Sequence, residues 1–371
     1  MSAVAARLRI LHTEASLGWG GQEIRVLTEA RGVRRLGHEV VLAAPPESRI
    51  FAEAPRFELE SLALPIGRKR LGGAWALRRL LAHRPFDVIN THSSTDAWLA
   101  AIACTTLSRA PPIVRTRHIS APVPSNGATR WLYTRATDLV VTTGERLRQQ
   151  VMHETAIDGA RVVSIPTGID LALFRPGSRD AMRSVLGLGG AAPLIGIVAT
   201  LRSWKGHRYL MQALAAMRRP EVSLVVVGDG PQRGALEELA ATLGIAAQVR
   251  FAGNQAEVAP WMRSFDVFCL PSYANEGVPQ ALMQAMACAR PVVTTAVGSI
   301  DEIVTHGDTG IIVPAQNDMR LRVEISNLLD DAARRAALGA RAHAEAHARF
   351  GEALMVERMI EAFAGAAEPR G

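Results

Sequence analysis

Residues 270–294 read LPSYANEGVPQALMQAMACARPVVT, and this stretch decides how the rest of the chain is read. A short apolar run closing near Leu270 predicts a buried strand, and the loop after it carries one carboxylate, Glu276, followed by Gly277 and Val278. Pro279 is expected at the first position of a helix, where its missing N–H costs nothing. Within that helix Gln280, Met283, Gln284 and Ala287 share one side at helical spacing, while Leu282, Ala285, Met286 and Ala289 form a second side that can pack on a sheet. A helix N-terminus beyond the carboxyl end of a strand, with a carboxylate and amides beside it, predicts an anion site that also holds a polar group next to the anion.

Strand-like and helical runs alternate outward from this segment in both directions. Strands are expected at 8–11, 39–43, 87–91, 112–116, 138–142 and 161–166, and again at 194–199, 222–228, 248–251, 266–270, 291–294 and 310–313. Short, strongly apolar strands separated by helices imply an α/β chain with two Rossmann-like, doubly wound parallel sheets. The proline and glycine positions in IPTGIDLALFRPG, residues 165–177, mark the linker. The expected domains are 1–170 and 171–350, with ligands beyond the carboxyl ends of the strands in a central cleft that the two sheets face.

The 371 residues carry a net charge of +7, placed unevenly. Residues 1–175 hold 23 arginines and lysines against 15 acids, and the remainder 19 against 20. Nucleic acid, an anionic membrane face or a phosphorylated acceptor could answer the basic first half. No aromatic stacking platform, zinc spacing or recognition helix is visible, so nucleic acid is excluded as a partner. No apolar run is long enough to span a bilayer, and Met1–Arg9 leads directly into a strand, so the protein is expected in the cytoplasm. Cys104, Cys269 and Cys288 are odd in number, unclustered and set in apolar contexts, which fits reduced buried thiols. The segment RKRLGGAWALRRLL, residues 68–81, mixes cations with apolar residues. It reads equally as a peripheral helix docking on the inner membrane face and as a crossover helix with a basic outer side.

Four further segments carry candidate chemistry. In IVATLRSWKGH, residues 197–207, Arg202 and Lys205 lie three apart in a strand-to-helix loop, where cations can neutralise an anionic group. Lys205 stands out because the chain has 40 arginines and only two lysines, the other being Lys69. In GWGGQE, residues 18–23, Gly20 and Gly21 let backbone approach a phosphate or sugar, and Glu23 either orients an acceptor hydroxyl or caps the helix. A dinucleotide fingerprint would need a third glycine where Glu23 stands, and GDGPQR at 228–233 lacks it as well. Gly253, Asn254 and Gln255 offer backbone and amide groups to a ligand, while His92 and His118 sit where strands end. His343 and His347 lie four apart on a helix, but Ala344 stands where a zinc protease needs glutamate, and no Asp-x-Asp pair occurs, so no metal or cofactor is expected.

The segment 270–294 closely resembles the donor-site motif of family 4 glycosyltransferases, the retaining nucleotide-sugar enzymes of the GT-B fold. That family places two glutamates eight positions apart, where this chain has Glu276 and Gln284. The resemblance implies that Glu276 contacts donor-sugar hydroxyls, that the amides of Gly277 and Val278 lie near sugar and diphosphate, and that Gln280 and Gln284 belong to the donor site. Gln284 would hold the ribose hydroxyls through an amide that both donates and accepts. It further implies that Lys205 matches a family cation, that Arg202 stands in for an arginine expected at Thr200, and that His118 lies against the donor sugar. GDGP and FAGNQA, residues 251–256, resemble segments flanking the base, and a helix near 351–366 would return to the first domain. The expected activity is metal-independent transfer from a UDP- or GDP-linked sugar, bound mainly by the second domain, to a saccharide or lipid-linked acceptor bound by the basic first domain, in cell-envelope polysaccharide or glycolipid synthesis. A nucleotide-sugar epimerase and a non-catalytic binding protein on the same fold are the alternatives.

Overall fold

The computed structural model describes residues 7–190 and 192–368, so the lead-in segment 1–6 lies outside the described residues. Two compact units form, one from 7–168 with 352–368 and the other from 169–351.

The first unit holds seven parallel strands: β1 (Arg9–Thr13), β2 (Glu39–Ala44), β3 (Glu60–Ala63), β4 (Val88–Thr91), β5 (Ile113–Arg117), β6 (Leu139–Thr142) and β7 (Val162–Ser164). Their order across the sheet is β3-β2-β1-β4-β5-β6-β7. The reversal between β1 and β4 is the switch point at which open α/β sheets gather ligands. β3 escapes a reading based on apolar runs. It is an edge strand of sequence ESLA with every side chain at least partly exposed, so it carries no hydrophobic signal.

The final helix, Glu352–Ala367, packs on the Gly21–Arg35 helix of the first unit. They meet at Gly32, where an added Cβ would lie 2.3 Å from a methyl of Val356, and Arg31 bridges Glu352 at 3.2 Å. Beneath them lies a fully buried pair, Arg25 and Glu29, in which Arg25 Nη1 donates to the Ile165 carbonyl and Thr167 Oγ1, and Asn90 donates to Glu29.

The second unit has six parallel strands, β8 (Leu194–Val198), β9 (Ser223–Val227), β10 (Val249–Gly253), β11 (Val267–Leu270), β12 (Val292–Thr295) and β13 (Ile311–Val313), ordered β10-β9-β8-β11-β12-β13. Its apolar strands are sandwiched between two cores, as expected for a parallel sheet covered on both faces. At Gly196 an added Cβ would meet the Phe265 ring at 2.2 Å.

The helix after β11 spans Gln280–Ala287, with Pro279 in the cap position instead of the first helical one. Packing against the Ala332–Arg349 helix buries Met283 and Ala287, so the polar side expected at four positions narrows to Gln280 and Gln284. His343 is half-buried and its Nδ1 lies 2.8 Å from the Ala287 carbonyl oxygen, which gives it a packing role. No described helix is long and apolar enough to cross a membrane.

Candidate functional site

In the second unit, the loops after β8, β11 and β12 bind one another through backbone. The loop after β8 ends at Gly206, whose φ of +79° and close approach suit glycine: an added Cβ would lie 2.0 Å from the Pro271 carbonyl oxygen. The Tyr273 N–H donates to the Trp204 carbonyl at 2.8 Å across the same seam. From the other side Thr295 donates its hydroxyl to the Ser272 carbonyl, and Ser299 N–H donates to Gly277 O at 3.2 Å. Gly298, with φ of +65°, sits so close that a Cβ would be 2.1 Å from the Glu276 carbonyl oxygen.

This clamp fixes Glu276. Its Oε1 accepts from Lys205 Nζ at 2.6 Å and from Ser272 Oγ at 2.6 Å. The side chain of Glu276 is 4% exposed and that of Lys205 18%, so the ammonium is the more accessible member of the pair. Arg202, by contrast, is exposed and lies 5.8 Å from the Trp204 ring. The geometry unites Lys205 with Glu276 and leaves Arg202 outside that contact.

Gln284 is half-buried, and its side-chain amide makes no hydrogen bond to a described residue. Gly253 accepts from the Gly228 N–H at 2.8 Å, joining the two turns expected at the base. Gln255 spends one amide N–H on the Ala252 carbonyl at 2.6 Å, and Asn254 is exposed. His207, beside Lys205 at the start of the His207–Met217 helix, is missed by sequence reading: it is buried, and neither ring nitrogen has a partner among the described residues. Burial, then the Lys205 charge, pushes its pKa down to about 3, so it packs as a neutral ring.

In the first unit the carboxyl ends of β1, β4 and β5 bring three histidines into a column. His12 Nδ1 lies 3.0 Å from His92 Nε2, and His92 Nδ1 lies 3.1 Å from His118 Nε2. Strand register explains the meeting, because β1 pairs β4 with His12 opposite Asn90, and β4 pairs β5 with Thr91 opposite Arg115. His92 and His118 are therefore in contact, and His12, hidden inside a strand, completes the stack under Phe363. Desolvation holds all three below the ordinary histidine pKa, His12 at about 3.

His92 and His118 open on a cavity of about 600 Å³ whose other polar lining includes Lys69, Ser93, Ser94, Arg115 and Arg117. Lys69 donates to Ser94 Oγ at 3.2 Å and lies 5.9 Å from the Trp98 ring, so one cation of the basic stretch 68–81 lines this cavity. Its rarity in the chain was a usable signal, as were two arginines inside strand β5.

Gly20 caps the Gly21–Arg35 helix in an extended conformation. Glu23 is buried in the first turn, and its carboxylate makes no capping hydrogen bond, which removes one of its two expected roles. A second carboxylate, unsuspected from sequence, is tied to this loop instead. Glu14, fully buried after β1, accepts from Ser16 N–H at 2.8 Å and Gln22 Nε2 at 2.6 Å. Burial, reinforced by Asp96, pushes its pKa up to about 8.

A group whose pKa is higher in the folded chain than in the unfolded one costs stability as pH rises between the two values. Stability should therefore fall from about pH 4.5 to pH 8 through Glu14, while neutral His12 and His207 make it fall as pH drops from 6.5 toward 3. Glu14→Gln should flatten the alkaline side of a melting-temperature profile. Wild-type and variant curves that stay parallel from pH 4.5 to 9 would contradict this.

Among the described residues no group of three or more His, Cys, Asp or Glu could hold a metal ion. The family described as Glycosyltransferase Family 4 matches residues 19–173, and Glycosyl transferases group 1 matches residues 192–331. D-inositol 3-phosphate glycosyltransferase 1 of Catenulispora acidiphila is 30% identical over 97% of this chain and 90% of its own length. The chain is a family 4 glycosyltransferase. A second relative of this enzyme, a D-inositol 3-phosphate glycosyltransferase of Thermomonospora curvata, is 31% identical over 93% of the chain and 87% of its own. Anabaena HepE in complex with UDP-glucose superposes with a TM-score of 0.87 at 22% identity, covering 97% and 100% of the two chains. A glycosyltransferase of Rickettsia africae superposes at 0.88 with 18% identity, over 98% and 100%. These neighbours give the family 4 enzyme its fold, GT-B with two parallel-sheet α/β domains.

Proposed function

We propose that this family 4 glycosyltransferase moves a sugar from a UDP- or GDP-linked donor to a saccharide or lipid-linked saccharide, with retention at the anomeric carbon and without a metal. The Lys205–Glu276 pair carries the reading: a buried carboxylate holds an accessible ammonium beside the helix that bears Gln280 and Gln284. On this reading Lys205 takes the charge of the departing diphosphate, with Arg202 and the amides of Gly277 and Val278 close in sequence to assist. Glu276 aligns the donor sugar, and Gln284 offers an uncommitted amide to the ribose. Gly253, Asn254 and Gln255 face the base, and in the first unit Gly20, Gly21 and His118 are the groups proposed to meet substrate. No residue is assigned as a covalent nucleophile, so departure and same-face attack are the proposed course.

The donor class is supported by HepE, whose structure holds UDP-glucose, and a role in envelope synthesis by WaaG, described as involved in lipopolysaccharide biosynthesis. Exposed Leu71 and Trp75, with Arg68 and Arg70 beside them, are the surface such an enzyme would turn toward an anionic membrane bearing a lipid-linked acceptor. Thermal shift with UDP, GDP, ADP and their sugars tests the donor: a ligand at 100 times its Kd adds about 2.7 kcal/mol. Gln284→Glu should keep or tighten that binding, because a carboxylate makes the stronger bond to ribose hydroxyls. Silence across the whole nucleotide panel would overturn the reading.

A further inference from the structure

We propose that the cavity at the carboxyl edge of the first sheet is an oxyanion site, and that the acceptor bears a phosphate ester or carboxylate held there by Arg115. This rests on the reading of the first unit as the acceptor-binding part. Arg115 is only 4% exposed, and its Nη1 is buried with no hydrogen-bond partner among the described residues. One side of its guanidinium lies 4.3 Å from the Tyr133 ring. A buried cation is costly unless an anion and hydrogen bonds answer it. The nearby carboxylate is already saturated: Asp96 accepts from Thr13 Oγ1, from the N–H groups of His92 and Ser93, and from Ser93 Oγ. Arg117 differs from Arg115 because its Nη groups donate to Tyr133 OH at 2.9 Å and Ala121 O at 2.5 Å, fastening the loop. Arg115 is thus the cation left to meet a ligand, and no carboxylate lines the cavity among the described residues.

The histidine column gives the cavity one more donor. With neutral rings, each link of the column holds a single proton. The outer nitrogen, His12 Nε2, is buried without a partner, and a stranded N–H is the costlier of the two choices. His12 then carries its proton on Nδ1 and donates to His92 Nε2, and His92 donates from Nδ1 to His118 Nε2. This leaves the His118 proton on Nδ1, the nitrogen that His92 does not engage. Lys69, Arg115 and this imidazole N–H call for a ligand rich in acceptors and negative charge. A volume near 600 Å³ has room for a monosaccharide that bears such a group.

Calorimetry on the full chain with inorganic phosphate, glucose 6-phosphate, glucuronate and glucose tests the site. Anions should bind where glucose does not, and Arg115→Gln should weaken anion binding at least tenfold, with Lys69→Gln weakening it less. Both variants should leave UDP affinity unchanged, and Arg115→Lys, which keeps the charge, should retain part of the anion affinity. Tighter binding of the phosphates than of glucuronate assigns an ester, and the reverse order assigns a uronate. Nitrogen-15 shifts should show His118 protonated on Nδ1. Glucose binding as tightly as its phosphate, or anion affinity unmoved in both Arg115→Gln and Lys69→Gln, overturns the site. If wild type binds the anions but no nucleotide, the donor reading falls and this one stands.

Discussion

Glu276→Gln and Lys205→Met should each lower transfer about 100-fold or more while the chain stays folded, the scale seen when one preorganised charge-stabilising group is removed. The side chains are 71 positions apart in sequence and meet at 2.6 Å, the carboxylate buried and the ammonium partly exposed. Lys205→Met leaves a buried carboxylate whose Oε1 still accepts from Ser272 Oγ, whereas Glu276→Gln leaves an ammonium that can still reach water. The lysine variant should therefore melt lower than the glutamate variant. The double variant should be more stable than the sum of the two losses predicts, by about 1–3 kcal/mol, as residues in direct contact couple. Turnover within threefold of wild type in both single variants would remove the pair from the chemistry.

Gly298→Ala is the second large expected effect, and it acts without touching a charged group. The backbone there is left-handed, and the new methyl would have to occupy the place of the Glu276 carbonyl oxygen, 2.1 Å away. Gly307 is the control within the same unit: its φ is +79°, yet nothing lies within 4 Å of an added Cβ. Both alanines carry the conformational cost of about 1 kcal/mol, but only the first must also displace the loop that presents Glu276. Gly298→Ala should then show the larger fall in melting temperature and a weakened UDP affinity. Equal melting and equal UDP binding in the two variants would show that the loop has slack.

Local sequence carried much of the fold because parallel strands buried on both faces must be short apolar runs, and twelve of the thirteen strands among the described residues announce themselves that way. β3 did not, being a polar edge. The helix at 280–287 was legible in position but not in burial, since the Ala332–Arg349 helix that covers Met283 and Ala287 is remote in sequence. Glu276 and Lys205 were each legible as loop residues after strands. Their contact was not, because it depends on Gly206 and Gly298 seating three loops together.

What this sequence determined by itself was the alternation that builds two parallel sheets, the family motif around Glu276, and the placement of polar residues where strands end. Periodicity and glycine chemistry are local properties, so a chain can state them without its partners. Tertiary structure alone decided that His12, His92 and His118 stack, that Lys69 donates to Ser94 beside a cavity, and that Arg115 has a buried Nη1 without a partner. Those outcomes follow from strand order and register, which place side chains from β1, β4 and β5 within 3 Å or so of one another although they are 26 to 80 positions apart.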